Sequence, residues 1–121
     1  MLEQRLVGRI IEPSELERRG LEFLRRNGFP EPTLEFVPPW ASAAVSRVDM
    51  AFPELRWIIE LDGRRWHDRS AAFETDRVRD QLASANGWLV SRVTWRQLRD
   101  DETGTARRLA STMTHRASRA S

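Results

Sequence analysis

Two apolar runs separated by four residues constrain this chain more than any other feature. Val45 to Phe52 and Trp57 to Leu61 flank Pro53-Glu54-Leu55-Arg56, which is the spacing of a β-hairpin. With Glu54 and Leu55 at its tip, antiparallel pairing sets Asp49 opposite Glu60 and Arg47 opposite Asp62. Side chains alternate along a strand, so Glu60 and Asp62 share a face, about 6.6 Å apart along the chain. Directly opposed Cβ atoms lie about 4.5–5.5 Å apart. Asp49, Glu60 and Asp62 are therefore expected to converge on one small volume.

Such a cluster needs a physical reason. Like charges directly opposed destabilise a sheet, and Trp57, Ile58, Ile59 and Leu61 mark the second strand as largely buried, where an unpaired carboxylate costs more. Two arrangements neutralise the charge: a salt-bridge cluster with Arg47, the arginine in register, or a divalent cation. Magnesium accounts better for opposed carboxylates, because it takes carboxylate oxygens, keeps several waters and accepts phosphate oxygens in its open positions. An ion held there, Mg²⁺ or Mn²⁺, can activate a water and stabilise the charge of a cleaved phosphodiester.

The rest of the sequence supplies a frame for that hairpin. Ser14-Glu15-Leu16-Glu17 reads as a capping box, followed by Leu16, Gly20, Phe23 and Leu24 at helical spacing and closed by Asn27-Gly28. Thr33 to Val37 is a candidate strand. Ser70 to Asn86 reads as a helix with Ala71, Thr75, Val78, Leu82 and Ala85 on one face, stopped by Gly87. Leu89 to Trp95 is another strand, and a final helix runs from about Thr105 to His115, with fraying expected from about residue 116. The order α-β-β-β-α-β-α predicts an α/β fold, a central mixed four-stranded sheet flanked by helices. At 121 residues the chain is expected to be a single domain.

Charge and cysteine usage narrow the function classes. All 20 basic residues are arginine, which cannot serve as a general base and suits phosphate contact. The last acid is Glu102, so the segment carrying Arg107, Arg108, Arg116 and Arg119 is purely basic, a feature shared by nucleic-acid-binding tails and solvated helix faces. The absence of cysteine excludes a disulfide framework and a thiolate zinc site, and fits a reducing cytoplasm. The N-terminus has no apolar h-region and no stretch approaches 18 apolar residues, so neither a signal peptide nor a membrane span is expected.

Further candidates surround the carboxylates. Glu17, beyond its capping role, can face the site from the first turn of its helix. His67 follows the second strand by one short loop and, with no lysine present, is the best candidate for general acid or base. Trp66 reads as a core anchor or as a wedge against bases. Arg64, Arg77 and Arg79 are candidate phosphate contacts, with Asp76 and Asp80 close enough on the helix to pair with the latter two.

Asp49, Ile58-Ile59-Glu60-Leu61-Asp62-Gly63, Trp66-His67, Asp76-Arg77-Val78-Arg79-Asp80 and Gly87-Trp88-Leu89-Val90 together resemble the very-short-patch repair endonucleases. The resemblance is closer to their uncharacterised bacterial relatives in the PD-(D/E)xK restriction-endonuclease-like superfamily. It spans roughly residues 14 to 98 and rests on the order and spacing of these segments. It implies a restriction-endonuclease-like sheet with the Glu17 helix beside the active site. Asp49 matches the metal-binding aspartate, Glu60 the acid of the (D/E)xK element, His67 a catalytic histidine and Trp66 an aromatic wedge. Asp62 stands where the pattern has lysine, so arginine or a second metal must supply that cation, and the family's structural zinc site has no counterpart. The expectation is a magnesium-dependent DNA endonuclease, with RNA as an open second substrate. The alternative is a nuclease-like fold that binds nucleic acid or a partner without cutting, as a domain of a defence or toxin–antitoxin protein; the missing lysine favours it.

Overall fold

The structure is a computed structural model that describes residues 11–42, 47–63 and 69–120, and the side chains of all of these except 69–72 and 120. The expected hairpin is present. Strands β1 (Thr33–Phe36), β2 (Val48–Phe52) and β3 (Trp57–Asp62) pair antiparallel in sequence, and β4 (Leu89–Thr94) lies parallel to β3, giving one mixed sheet of order β1-β2-β3-β4. Met50 pairs with Ile59, Ala51 with Ile58 and Phe52 with Trp57, the register derived from the sequence. The connection is a single 3₁₀ turn over Pro53–Leu55, and Arg56 takes the left-handed conformation that returns the chain. The start of the anticipated first hairpin strand at Val45 lies outside the described residues.

Four helices complete the chain: α1 (Pro13–Arg26), α2 (Arg69–Ala85), α3 (Trp95–Asp100) and α4 (Glu102–Ala120). Helix α1 lays Leu16, Gly20, Phe23 and Leu24 on the sheet, as its periodicity predicts, and ends at Asn27 and Gly28. Its start differs from expectation. Pro13 occupies the first helical position and Glu12 is the N-cap without a side-chain hydrogen bond. Proline's fixed φ suits the first helical position, so Ser14 already lies inside the helix, two residues past the N-cap, and the Ser14–Glu17 box does not form. The capping box is at Thr94 and Gln97 instead, where side chain and backbone exchange bonds of 3.0 Å in each direction. It starts α3, a helix the sequence reading absorbed into β4 and a loop.

The two faces of the sheet are covered differently. Against one, α1, α3 and α4 bury Met50, Phe52, Trp57, Ile59 and Val93 with Phe23, Leu24, Leu98 and Leu109. Trp57 is fully buried, stacks on Phe52 at 5.2 Å and donates its indole N–H to Ser91 Oγ at 2.9 Å, which removes the penalty of burying that donor. On the other face Val48, Ala51 and Ile58 pack with Trp88 and with Ala83 of α2, which covers them. That helix faces the sheet through Asp76, Arg79, Asp80 and Ala83, not through the predicted apolar stripe. Thr75, Val78 and Ala85 are exposed and Leu82 is half-buried, while the Ala71 side chain lies outside those described, so the periodicity assignment is overturned for the rest of the α2 face. The physical reason is electrostatic: the sheet surface beneath carries Glu60 and Arg92, and the helix turns its charges to them.

Helix α4 also departs from expectation, running to Ala120 where fraying was predicted. The Arg116 side chain ties it down, donating to the carbonyls of Leu55, Arg56 and Gly87 at 3.0–3.1 Å. Among the described residues no helix is long and apolar enough to cross a membrane.

Candidate active site

The hairpin ladder stops at Met50–Ile59, while β3 continues along β4 as far as Asp62 opposite Thr94. The sheet therefore forks, and the carboxylates sit at the fork. Asp49 is the next residue in register with Glu60, and side-chain bonds replace the ladder there. Asp49 Oδ2 accepts the Leu61 N–H at 2.8 Å, and the Asp49 N–H donates to the Glu60 carboxylate. Face alternation breaks at this point: Val48 packs into the cluster beneath α2, whereas Met50 packs beneath α1. On β1, Glu35 lies opposite Asp49, between the pairs Leu34–Met50 and Phe36–Val48, with a left-handed φ of 49°. A glutamate held in that region is strained by about 1–2 kcal/mol, and such strain gathers at functional sites.

Glu60 is the electrostatic centre. It is buried, and its Oε2 has no hydrogen-bond partner. Burial first, then the neighbouring Asp49 charge, push its pKa up to about 7 against the pull of Arg79, Arg92 and the Asp49 N–H. Arg79 stands 3.7 Å from Glu60 Oε2, too far for a hydrogen bond, and donates to the Arg47 carbonyl at 3.1 Å. Arg92, in register with Glu60 on β4, is committed to Asp76 at 3.3 Å and Asp80 at 2.8 Å, and its Nε is buried without a partner. Two buried polar atoms of opposite charge are thus left unsatisfied in one place, each a cost of about 1–3 kcal/mol or more.

That place is a cleft of about 290 Å³ lined by Asp49, Glu60, Asp62, Asp76, Arg79 and Arg92 along one wall and Ile11 and Leu16 along another. A second hollow of about 470 Å³ adjoins it across Leu16, Asp49 and Leu61, and carries Glu17 and Glu35. Burial, then the charges of Glu35 and Asp49, raise the Glu17 pKa. Glu17 lines the adjoining hollow from α1, not the cleft that holds Glu60, and is freed from the capping role it was also given.

The other predicted residues divide. Asp62 lines the cleft beyond Glu60, but among the described residues no three His, Asp or Glu side chains gather closely enough to hold a metal ion together. Asp49 and Glu60 are the pair that meets. Arg47 does not neutralise the carboxylates: it precedes β2 and its side chain reaches Glu35 at 3.2 Å, in solvent. Arg77 turns away from the cleft, pairs with Asp80 at 3.0 Å and covers the exposed Phe73 ring at 4.7 Å, so its candidacy as a phosphate contact gains nothing from its position. Arg64, Trp66 and His67 lie outside the described residues. Sequence reasoning missed Glu35 and Arg92. Arg92 had a signal, as the one charge in Leu89-Val90-Ser91-Arg92-Val93-Thr94 beside the buried acidic strand. Glu35 had none, since its left-handed backbone follows from the fork.

Two carboxylates and an unspent oxygen in a partly closed cleft fit a hard divalent cation. Magnesium is held by one or two carboxylates with waters and substrate oxygens completing the octahedron, so a third protein ligand is not required. Comparison with protein-family models, curated proteins and solved structures finds no match to this chain.

Proposed function

We propose that the chain is a divalent-metal-dependent nuclease with a restriction-endonuclease-like fold, acting on DNA in the cytoplasm. The observation that carries this reading is Glu60: a buried carboxylate with Oε2 unpartnered, interlocked with Asp49 at the mouth of a cleft. Asp49 and Glu60 would hold Mg²⁺ or Mn²⁺. When bound, such an ion activates the attacking water and offsets the charge of the phosphodiester. Asp62 and Glu17 line the approach and suit hydrogen bonds to the ion's waters. Arg79 and Arg92 supply the positive charge beside Glu60 that Asp62, at the lysine position, does not; Arg79 has the freer guanidinium and suits a phosphate oxygen. His67, just past β3 in sequence, is assigned proton transfer to the leaving oxygen.

The second reading, a nuclease-like fold that binds nucleic acid or a partner without cutting, draws on the commitment of Arg92 to Asp76 and Asp80, which among the described residues of the cleft leaves Arg79 alone to stabilise a transition state. Incubation with supercoiled plasmid and with single- and double-stranded oligonucleotides of DNA and RNA separates the two. The nuclease cuts in Mg²⁺ or Mn²⁺ and stops in EDTA, and His67→Ala leaves a slow metal-dependent residue, reduced about 10²–10⁴-fold. Binding without cutting on every substrate and in both metals would favour the second reading.

A further inference from the structure

A further cavity lies at the opposite end of β3, about 13 Å of strand from Glu60. It has a volume of about 580 Å³ and is lined by Glu54, Leu55, Arg56, Gly87, Arg116 and Arg119, from the hairpin turn, the α2–β4 turn and the last turns of α4. Most described arginines pair with a carboxylate, among them Arg18, Arg25, Arg26, Arg92 and Arg108. Among the described residues, Arg56, Arg116 and Arg119 have no carboxylate within ion-pair distance, yet they converge here. Their positions are fixed by the backbone. Arg116 spends Nε and Nη2 on the carbonyls of Leu55, Arg56 and Gly87. These are neutral acceptors, so its charge is uncompensated and Nη1 is unspent. Arg56 has left-handed backbone, and its Nη1 would lie 3.5 Å from a Cβ at position 87, so its guanidinium rests over Gly87. Arg119 follows Arg116 by three residues on the same helix face. Burial, then the charges of Arg119 and Arg56, lower the Arg116 pKa, the mark of cations crowded together.

We infer that this cavity is a phosphate-binding site, in which the oxygens of one phosphate group accept hydrogen bonds from Arg56, Arg116 and Arg119. Glu54 lines the same cavity, but it makes no ion pair with the three guanidiniums, which repel one another, and planar forks of N–H donors match phosphate geometry. The phosphate group can come from a nucleic-acid backbone or from free phosphate or pyrophosphate. The inference stands apart from the nuclease reading, since none of these residues touches the carboxylate cleft.

The test uses the full chain and the double variant Arg56→Gln/Arg119→Gln, which keeps Arg116 and its three carbonyl bonds. Melting temperature is followed against millimolar inorganic pyrophosphate, and duplex DNA binding against salt. We expect pyrophosphate to raise the melting temperature of the wild type and not of the variant, with Arg56→Lys/Arg119→Lys recovering part of the response. If the source is nucleic acid, the log–log salt slope falls by about one in the double variant, because the one phosphate held here contributes about 0.9; a pyrophosphate response with an unchanged slope assigns the site to free phosphate. Mn²⁺ binding at the carboxylate cleft is measured on the same proteins and stays unchanged in the variant, which separates a failure here from a failure of the metal reading. Equal pyrophosphate responses and equal salt slopes in wild type and double variant would overturn the inference.

Discussion

Glu60→Gln turns the electrostatics of the cleft into a stability measurement. Folded, Glu60 keeps its proton to about pH 7; its ordinary value is 4.5. Between those values the folded chain binds more protons than the unfolded one, so wild-type stability falls as pH rises from about 4.5 to about 7, and the loss is complete above that window. The gap between the two values amounts to about 3 kcal/mol at roughly 1.4 kcal/mol per pKa unit. Glutamine keeps the shape without the charge. Urea denaturation in EDTA should therefore find Glu60→Gln close to wild type at pH 4 and more stable by about 3 kcal/mol at pH 8. Magnesium or manganese should erase much of that difference by stabilising the ionised wild type. A pH-independent difference, or a wild type that gains stability from pH 4.5 to 7, would refute the reasoning.

Two further substitutions probe the frame. Arg92→Ala removes one partner of the buried Asp76 and should cost about 1–3 kcal/mol in urea denaturation at pH 7, whereas Arg25→Ala, which breaks a solvent-exposed pair, should leave stability nearly unchanged. Glu35→Gly and Glu35→Gln both remove a charge facing Glu17, but only glycine relieves the left-handed backbone at φ 49°. The glycine variant should be the more stable of the two by about 1 kcal/mol in denaturation, the strain relieved exceeding the entropy glycine loses.

What was legible in the sequence was what local patterning controls. The hairpin register followed from the length of the turn and the apolar alternation, and it carried Asp49 to Glu60 without any knowledge of the fold. Helix α1 announced its buried face and its Asn27-Gly28 end. What failed depended on partners distant in sequence. The inner face of α2 could not be chosen from Val78 and Leu82, because the deciding contacts are Arg92 on β4 and Glu60 on β3, so charge pairing outweighed apolar period. The cap at Ser14 was lost to Pro13, one residue earlier, while the same motif at Thr94-Trp95-Arg96-Gln97 went unread because Leu89 to Trp95 looked like a continuous strand. Convergence of three carboxylates assumed regular alternation through Asp49, and the fork breaks that alternation. The docking of Arg116 on Leu55, Arg56 and Gly87 joins segments about 30 and 60 residues apart, which no local pattern encodes.

Divalent-cation binding by Asp49 and Glu60 is the property on which the proposed activity depends. Calorimetric titration of Mn²⁺ into the wild type and Asp49→Asn at pH 8, without nucleic acid, tests it most directly. We expect saturable binding by the wild type, protons released when the same titration is run near pH 7, and no binding by Asp49→Asn although that variant folds. Failure of the wild type to bind Mn²⁺, or equal binding by Asp49→Asn, would contradict it.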